Sequence, residues 1–436
     1  MLDNGFLSDA ILTNPFSFGD HLDGLRPISR ARTADGLDVI VVTGYDEVKN
    51  ILAQPEVYSS RFGSIIMRRT QAAGPPRFDP DDVHIGPIML GSDDPEHRRY
   101  RALFNPIFSP KRVTALNARM EDLIDRLIDS VIEHGECDFL NDIAIPFPIA
   151  VISDLLGFDR TRLPDIRRWS DSLIQHIGVN AAFDADRIAR EIREFNHFLS
   201  SELMARRESP ADDLISHAMQ SEALGFTPLT DDEILIMVRE ITTAGNESTR
   251  NTLVGGLALL LDDEVTLQRL RDDPQLIPAA VEELLRMFSA VSGMWRVTTQ
   301  DTELAGWRIP KGSAVMFRMD AANRDPRQFP DPDRLILDRP NRNTHLTFGH
   351  GTHYCLGNML ARRELIIAFT RLISRLRDIQ IDRERSDLSS DYHILLRNLK
   401  ALHIRFRPGE RLDPESPKIE RVLHADKAAQ AHNRHH

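Results

Sequence analysis

Apolar residues recur at helical spacing along most of the chain. After Ser109-Pro110, an N-cap residue followed by a first-turn proline, they fall at Val113, Leu116, Met120, Leu123, Leu127, Ile128 and Val131, a stripe that stops at Gly135. A second stripe opens at Thr230-Asp231-Asp232-Glu233, which has capping-box spacing, and continues through Ile234, Met237, Val238 and Ile241 to Leu253, Leu257 and Leu260. A helix of about 30 residues extends about 45 Å, so it has to cross the core. Strand patterns are short: Val39-Ile40-Val41-Val42, and a pair of runs flanking Ile309-Pro310-Lys311-Gly312, whose Pro and Gly suit a type I turn. The pattern predicts a mainly α fold with small β-sheets. From Arg61 to Asp94, glycines, prolines and polar residues surround isolated apolar ones, which predicts a long loop of the kind that often carries function. The polar stretch after Pro408 predicts a single domain over residues 1–408 and a flexible tail over 409–436.

Composition narrows the class. The 436 residues are 41% hydrophobic, enough for a large core. No uncharged apolar run reaches about 18 residues, so no membrane insertion is expected. The start lacks a basic stretch followed by an apolar one, as a secretory leader requires. The two cysteines, Cys137 and Cys355, cannot build a disulfide framework, so a cytoplasmic protein is expected. A net charge of -12 speaks against general nucleic-acid binding. Arg98, Arg99 and Arg101, then Arg362 and Arg363, still form local basic clusters, either a solvated face or a docking patch for an acidic partner.

The middle of the long helix is chemically odd. Thr242-Thr243-Ala244-Gly245-Asn246-Glu247-Ser248-Thr249 puts a glycine, an acid and four hydroxyls where a buried helix favours Leu and Ala. Hydroxyls there can bond the carbonyl one turn back. One reading is a kink with satisfied hydroxyls; the other is a groove over a ligand, with Glu247 and Ser248 supplying protons. Further on, Phe348-Gly349-His350-Gly351-Thr352-His353-Tyr354-Cys355-Leu356-Gly357 sets a cysteine between glycine-rich turns and an apolar helix. A thiolate at a helix N-terminus, with glycines that let a flat ligand approach, suits a haem-iron axial ligand. Zinc is the alternative, given His345, His350 and His353, but the usual ligand spacing is missing. Glu283 and Arg286 stand one helical turn apart and can pair, and His97 and Arg101 share a helix face that could clamp a carboxylate.

Together these residues resemble the cytochrome P-450 superfamily, in particular its soluble bacterial members. Phe348, Gly351, Cys355 and Gly357 match its Phe-x-x-Gly-x-x-x-Cys-x-Gly signature; Ala244, Gly245 and Glu247 match its mid-helix motif; Glu283 and Arg286 match its Glu-x-x-Arg pair. The order and separations fit across residues 15 to 408. The resemblance implies a haem b held between the long helix and the cysteine loop, with Cys355 as axial ligand to the iron and Phe348 beside it. It places His97, Arg101, Arg296 and His353 on the haem propionates, with Ala244, Gly245 and Gly357 also against the cofactor. Glu247, Ser248 and Thr249 would deliver protons. Glu283 and Arg286 would be structural, pairing with Arg339 and the segment from Asn323 to Pro326. Thr243, Ala244, Val291, Met294 and Ile394 would line the substrate pocket, with the loop after Arg61 and the helices from Ile174 to Phe183.

One departure stands out: Ser248 replaces the usual Thr and lacks the methyl that restricts side-chain rotation. Thr249 lies about 100° around the helix and is an imperfect substitute. The activity implied is O2-dependent hydroxylation or epoxidation of a hydrophobic molecule such as a steroid, terpenoid or lipid. Electrons from NAD(P)H would arrive through a separate ferredoxin and ferredoxin reductase, because no flavin or nicotinamide domain is apparent. Arg98, Arg99 and Arg363 are candidate ferredoxin contacts, and a monomer is expected. A peroxide-using relative or a haem-thiolate sensor are the rivals; Glu247 and Ser248 favour oxygen activation.

Overall fold

The structure is a computed structural model that describes residues 26–32, 37–63, 79–81, 89–177, 184–220, 227–390 and 395–413. Ile394 and the tail beyond Asp413 lie outside these residues, as do most of the loop after Arg61 and the stretch 178–183.

The chain opens with β1 (Ile28–Arg32), β2 (Asp38–Val42), α1 (Tyr45–Ala53) and β3 (Tyr58–Ser59). A helical run follows: α2 (Glu96–Phe104), α3 (Pro110–Ala115) and α4 (Asn117–Asp129). After the short β4 (Glu136–Asp138) come α5 (Pro146–Leu156), α6 (Leu163–Ile177), α7 (Ala185–Glu208) and α8 (Asp231–Leu261). Then α9 (Ile277–Met287), β5 (Gly293–Thr298), β6 (Ala314–Arg318), α10 (Asn358–Arg375), β7 (Arg377–Ile381) and β8 (His403–Arg407) complete the frame.

The largest sheet runs β1-β2-β6-β5-β3, with β2 and β6 parallel and the other pairs antiparallel. A second sheet runs β4-β8-β7. The alternation read at residues 39–42 is β2, with Val39 and Val41 on one face and Ile40 and Val42 on the other. The runs around Pro310 do form strands, but not a hairpin with each other: Trp307–Ile309 pairs with Thr302–Leu304, and β6 joins the large sheet. The turn between them is not type I. Gly312 sits at φ +81° and the Ser313 amide donates to the Pro310 carbonyl, the type II arrangement that needs glycine at the third position.

The stripe from Val113 to Ile128 is buried as expected, yet the backbone breaks at Leu116 into α3 and α4. Pro110 opens α3, but the Ser109 hydroxyl makes no capping bond. Past Pro408 the chain stays tied: the amides of Leu412 and Asp413 donate to the Asp129 carboxylate at 3.1 and 3.2 Å. The helical layer packs around α8, which touches α5, α6, α7, α9 and α10. Its capping box forms as read, with the Thr230 hydroxyl and Glu233 carboxylate each bonding the other's amide. Glu233 also takes Arg99 on both carboxylate oxygens, at 2.6 and 2.9 Å, and the Tyr100 hydroxyl, which locks α2 to the start of α8.

Candidate active site

Cys355 lies in the loop that feeds α10. Its amide donates to the Phe348 carbonyl at 2.8 Å, and its carbonyl accepts the Asn358 side chain at 2.8 Å, so both ends of the residue are fixed. The loop needs its glycines. Gly349 and Gly351 sit at φ +74° and +68°, and a Cβ on Gly351 would come within 2.5 Å of the Leu52 carbonyl oxygen of α1. A Cβ on Gly357 would meet nothing within 4 Å. Burial pushes the Cys355 thiol up, while the Gly357 amide and the charges of Arg101 and Arg362 pull it back toward the thiolate. Arg362 lies 4.4 Å over the Phe348 ring and is held by Glu282, at 2.7 and 3.1 Å. Glu282 also bonds His345 at 3.0 Å. Burial alone would raise Glu282, but His345 and Arg362 overcome it and hold the carboxyl at about 2.

Four basic side chains expected at the cofactor come together around Cys355. The His97 and His353 rings lie 3.9 Å apart. Burial holds both below the ordinary histidine range, His353 at about 3, with His97, Arg296 and Arg101 adding to the effect on it. Arg296 is buried on β5 against the Phe317 ring and the Trp295 carbonyl; burial brings it down to about 10. Arg101, half-buried on α2, is lowered by burial too, and the Cys355 thiolate opposes that. Among the described residues neither arginine has a carboxylate within ion-pair distance; the buried Nδ1 of His97 faces the Asp94 carboxylate at 3.7 Å, too far for a hydrogen bond.

Centrally, α8 is continuous, with no kink in its hydrogen-bonding pattern. Its hydroxyls fold back instead: Thr242, Ser248 and Thr252 donate to the carbonyls of Val238, Ala244 and Ser248 at 2.7, 3.2 and 2.8 Å. Ala244 is exposed and Ser248 half-buried in an otherwise buried stretch, so one face of the helix centre is open. Gly245 faces elsewhere. A Cβ there would sit 2.8 Å from Ile152, so this glycine lets α5 approach α8 rather than sitting on the open face. Glu247 is buried, with Oε2 bonded to Arg250, which reaches Asp171 on α6 at 3.0 Å; Oε1 has no partner. Burial raises its carboxyl well above the ordinary range, against the pull of Arg250. Thr249 points at Glu364 of α10, a buried acid raised by burial and partly restrained by that hydroxyl. Thr249 is therefore not on the Ser248 face. Thr243 is buried with an unpartnered hydroxyl, and Val291 and Met294 are half-buried.

Glu283 and Arg286 are fully buried and bonded at 2.7 and 3.0 Å. Arg339 adds its Nε to both Glu283 oxygens at 3.1 Å, and Arg286 also donates to the carbonyls of Asn323, Pro332 and Arg334. Two acids near the site gave no motif to read. Glu240, one turn before Ala244, accepts the amides of Met89 and Leu90 at 3.3 and 2.9 Å. Asp93, ahead of α2, is the other.

The sequence pattern of the cytochrome P-450 family matches residues 36–404. Cytochrome P-450 107B1 of Saccharopolyspora erythraea is 35% identical over 88% of this chain and 92% of its own. The steroid C26-monooxygenase of Mycobacterium tuberculosis strain H37Rv is also 35% identical, over 88% of this chain and 92% of its own. The solved structure of CYP109Q5 from Chondromyces apiculatus matches with a TM-score of 0.80 at 29% identity, covering 93% of this chain and 98% of that one. The chain belongs to the cytochrome P-450 family. It is a monooxygenase that inserts one atom of O2 into a hydrophobic small molecule with electrons from a separate redox partner. Haem is the cofactor the family implies, and the residues present fit it. Arg296, buried, and Arg101, half-buried, with no carboxylate within ion-pair distance among the described residues, match its two propionates, and a thiol flanked by an open glycine matches its iron. No helix among the described residues is long and apolar enough to cross a membrane.

Proposed function

We propose that Cys355 is the axial thiolate of a haem b whose propionates are held by Arg101, Arg296, His97 and His353, with O2 activated on the face of α8 marked by Ala244 and Ser248. The observation that carries this reading is the pair of arginines beside Cys355, Arg296 buried and Arg101 half-buried, with no carboxylate within ion-pair distance among the described residues. A buried guanidinium is costly unless an anion matches it, so the site is built for one. When bound, the haem supplies O2 reduction, its thiolate ligand donating electron density that favours O–O cleavage. Phe348 and Arg362 shield the thiol from water. Ala244 leaves room beside the helix. Glu247, buried and raised so that it takes up a proton more readily than an ordinary carboxyl, and the Ser248 hydroxyl at the open face are the proton-handling groups. Gly245 and Thr249 act at one remove, by packing against Ile152 and by bonding Glu364.

Substrate contacts come from Thr243, Ala244, Val291 and Met294. A steroid or a comparably large apolar natural product is the class we favour, on the likeness to the steroid C26-monooxygenase. A ferredoxin and its reductase, drawing on NAD(P)H, deliver the electrons to a cytoplasmic monomer whose single domain runs through residue 408. Arg98, 77% exposed and paired at the surface with Asp94 at 2.7 Å, is the most accessible of the three cations to such a partner; Arg99, 27% exposed and forked on Glu233, belongs to the scaffold, and Arg363 is tied to Asn117.

The reduced protein under carbon monoxide should show the red-shifted Soret band of thiolate ligation, and Cys355→Ala should lose it. Retention of that band by the variant would remove Cys355 as ligand. In a system reconstituted with ferredoxin, reductase and NAD(P)H, Ser248→Ala should form less product per reducing equivalent; an unchanged yield would exclude Ser248 from proton delivery.

A further inference from the structure

Asp93 gathers groups from three parts of the chain. On one side it faces the end of β3: Oδ2 accepts the Ser59 hydroxyl at 2.5 Å, Oδ1 accepts the Ser60 amide at 2.8 Å, and Arg61 Nε lies 3.5 Å away. On the other it opens α2, its carbonyl accepting the His97 amide at 3.0 Å. Its charge also acts on Arg296. Ser60 in turn is fully buried with its hydroxyl 2.9 Å from Nε2 of His353. Asp93 thus bears on three of the four basic residues around Cys355: its carboxylate reaches His353 through Ser60 and acts on Arg296 by charge, and its main-chain carbonyl holds the His97 amide.

The strand cannot do this alone. β3 pairs with β5 only at Tyr58 and Ser59, opposite Thr298 and Val297. Ser60 stands just past the last paired residue, and Asp93 is the acceptor that fixes its amide. The nitrogen a neutral imidazole presents to a ligand is set by the bond its other nitrogen makes. Ser60 makes that bond to His353, so whatever fixes Ser60 also fixes the edge of His353 turned away from it.

We infer that Asp93 is the positioning residue for the basic cluster beside Cys355: it holds Ser60 against His353 on one side and the first turn of α2, with His97 and Arg101, on the other. The inference rests on reading those basic residues as the haem-carboxylate holders. Its role is geometric, because the Ser59 hydroxyl can donate to a carboxylate or accept from an amide. Asparagine at this position can therefore keep the side-chain tie to Ser59 and Ser60, and alanine cannot; the main-chain bond to His97 survives in both, so the two variants differ on the Ser60 side.

The test is haem transfer from the holoprotein to an excess of apomyoglobin. Asp93→Ala and Ser60→Ala should each speed haem loss about tenfold or more, and Asp93→Asn by no more than about threefold. The Asp93→Ala/Ser60→Ala double variant should lose haem no faster than Asp93→Ala, since the two act in series. The ferrous–CO band of Ser60→Ala should stay that of thiolate ligation. Haem loss at the native rate in Ser60→Ala would overturn the inference, as would effects that multiply in the double variant or an Asp93→Asn protein as leaky as Asp93→Ala. Conversion of the CO band in Ser60→Ala would do so too, since the cysteine loop itself would then have moved. Arg296→Ala separates the underlying reading: if it loses haem no faster than the native protein, the carboxylate-holder assignment fails, and if it is leaky while Ser60→Ala is silent, only the Asp93 inference fails.

Discussion

Two clusters of basic residues, one around Glu283 and one around Cys355, are built on opposite rules. Around Glu283 every guanidinium donor is matched: Arg286 and Arg339 share the two oxygens of one carboxylate, and their remaining donors reach backbone carbonyls. Around Cys355 no acid lies within ion-pair distance of Arg101 or Arg296 among the described residues, and His97 leaves a buried nitrogen unbonded. Arg296 is as buried as Arg286 and Arg339, and Arg101 is half-buried, so the sharper difference is in the partners. A matched cluster is a finished piece of scaffold. An unmatched one lowers stability unless something anionic completes it, and that is the mark of a binding site. By the same rule Arg99, conspicuous in a basic run, belongs with the scaffold, because Glu233 already takes it on both oxygens.

Breaking the matched cluster should have the largest effect. Glu283→Ala leaves Arg286 and Arg339 buried with no carboxylate, a change that costs about 3–5 kcal/mol. Urea unfolding of the purified variant should show a loss of that order, or no folded protein should be recovered. A loss under about 1 kcal/mol would mean that the backbone carbonyls alone satisfy the two arginines, and the contrast between the clusters would collapse.

The next effect lies between the clusters, at Glu282. Its carboxyl falls from the ordinary 4.5 to about 2 in the folded protein. A depressed acid contributes stability above its unfolded value and loses it as pH falls through the folded one, so the loss belongs between about pH 4.5 and pH 2. The drop corresponds to about 3 kcal/mol. Native protein should therefore lose urea stability steeply across that window, while Glu282→Gln starts lower at neutral pH and falls less. Parallel pH profiles for the two proteins would show that Glu282 does not hold Arg362 over Phe348.

What could be read ahead of the structure divides along the same line as the clusters. The long helix, its capping box and the cysteine loop were legible because their signals are local: apolar spacing, a Thr three residues before a Glu, glycines beside one cysteine. The Glu283–Arg286 pair was legible for the same reason, one turn apart. The break at Leu116 and the type II turn at Gly312 escaped because propensity does not fix where a helix restarts or which sign φ takes. The ties of Asp93 to Ser60, Glu240 to Met89 and Leu90, and Glu364 to Thr249 join distant segments, and nothing near any of these acids announces its partner. Gly245 was read by motif as a cofactor contact, yet its packing against Ile152 depends on where α5 lands.

The smallest effect on stability, and the one best able to break the comparison, belongs to Arg101. In Arg101→Met the alkyl stem is kept and a half-buried charge with no acidic partner among the described residues is removed. Nothing is stranded by the change, because no carboxylate within ion-pair distance depended on it. The apoprotein should then keep its urea stability within about 1 kcal/mol, or gain slightly, which is the opposite of the expectation at Glu283. The holoprotein should differ: haem adds stability only in proportion to how tightly it binds, so the increment between apo and holo forms should shrink in the variant. Both measurements are needed. A shrunken increment with an unchanged apoprotein is what an unmatched cluster predicts. If apo Arg101→Met instead loses about 3 kcal/mol, Arg101 is as much a part of the scaffold as Arg286, and an unmatched buried cation no longer marks where the ligand goes.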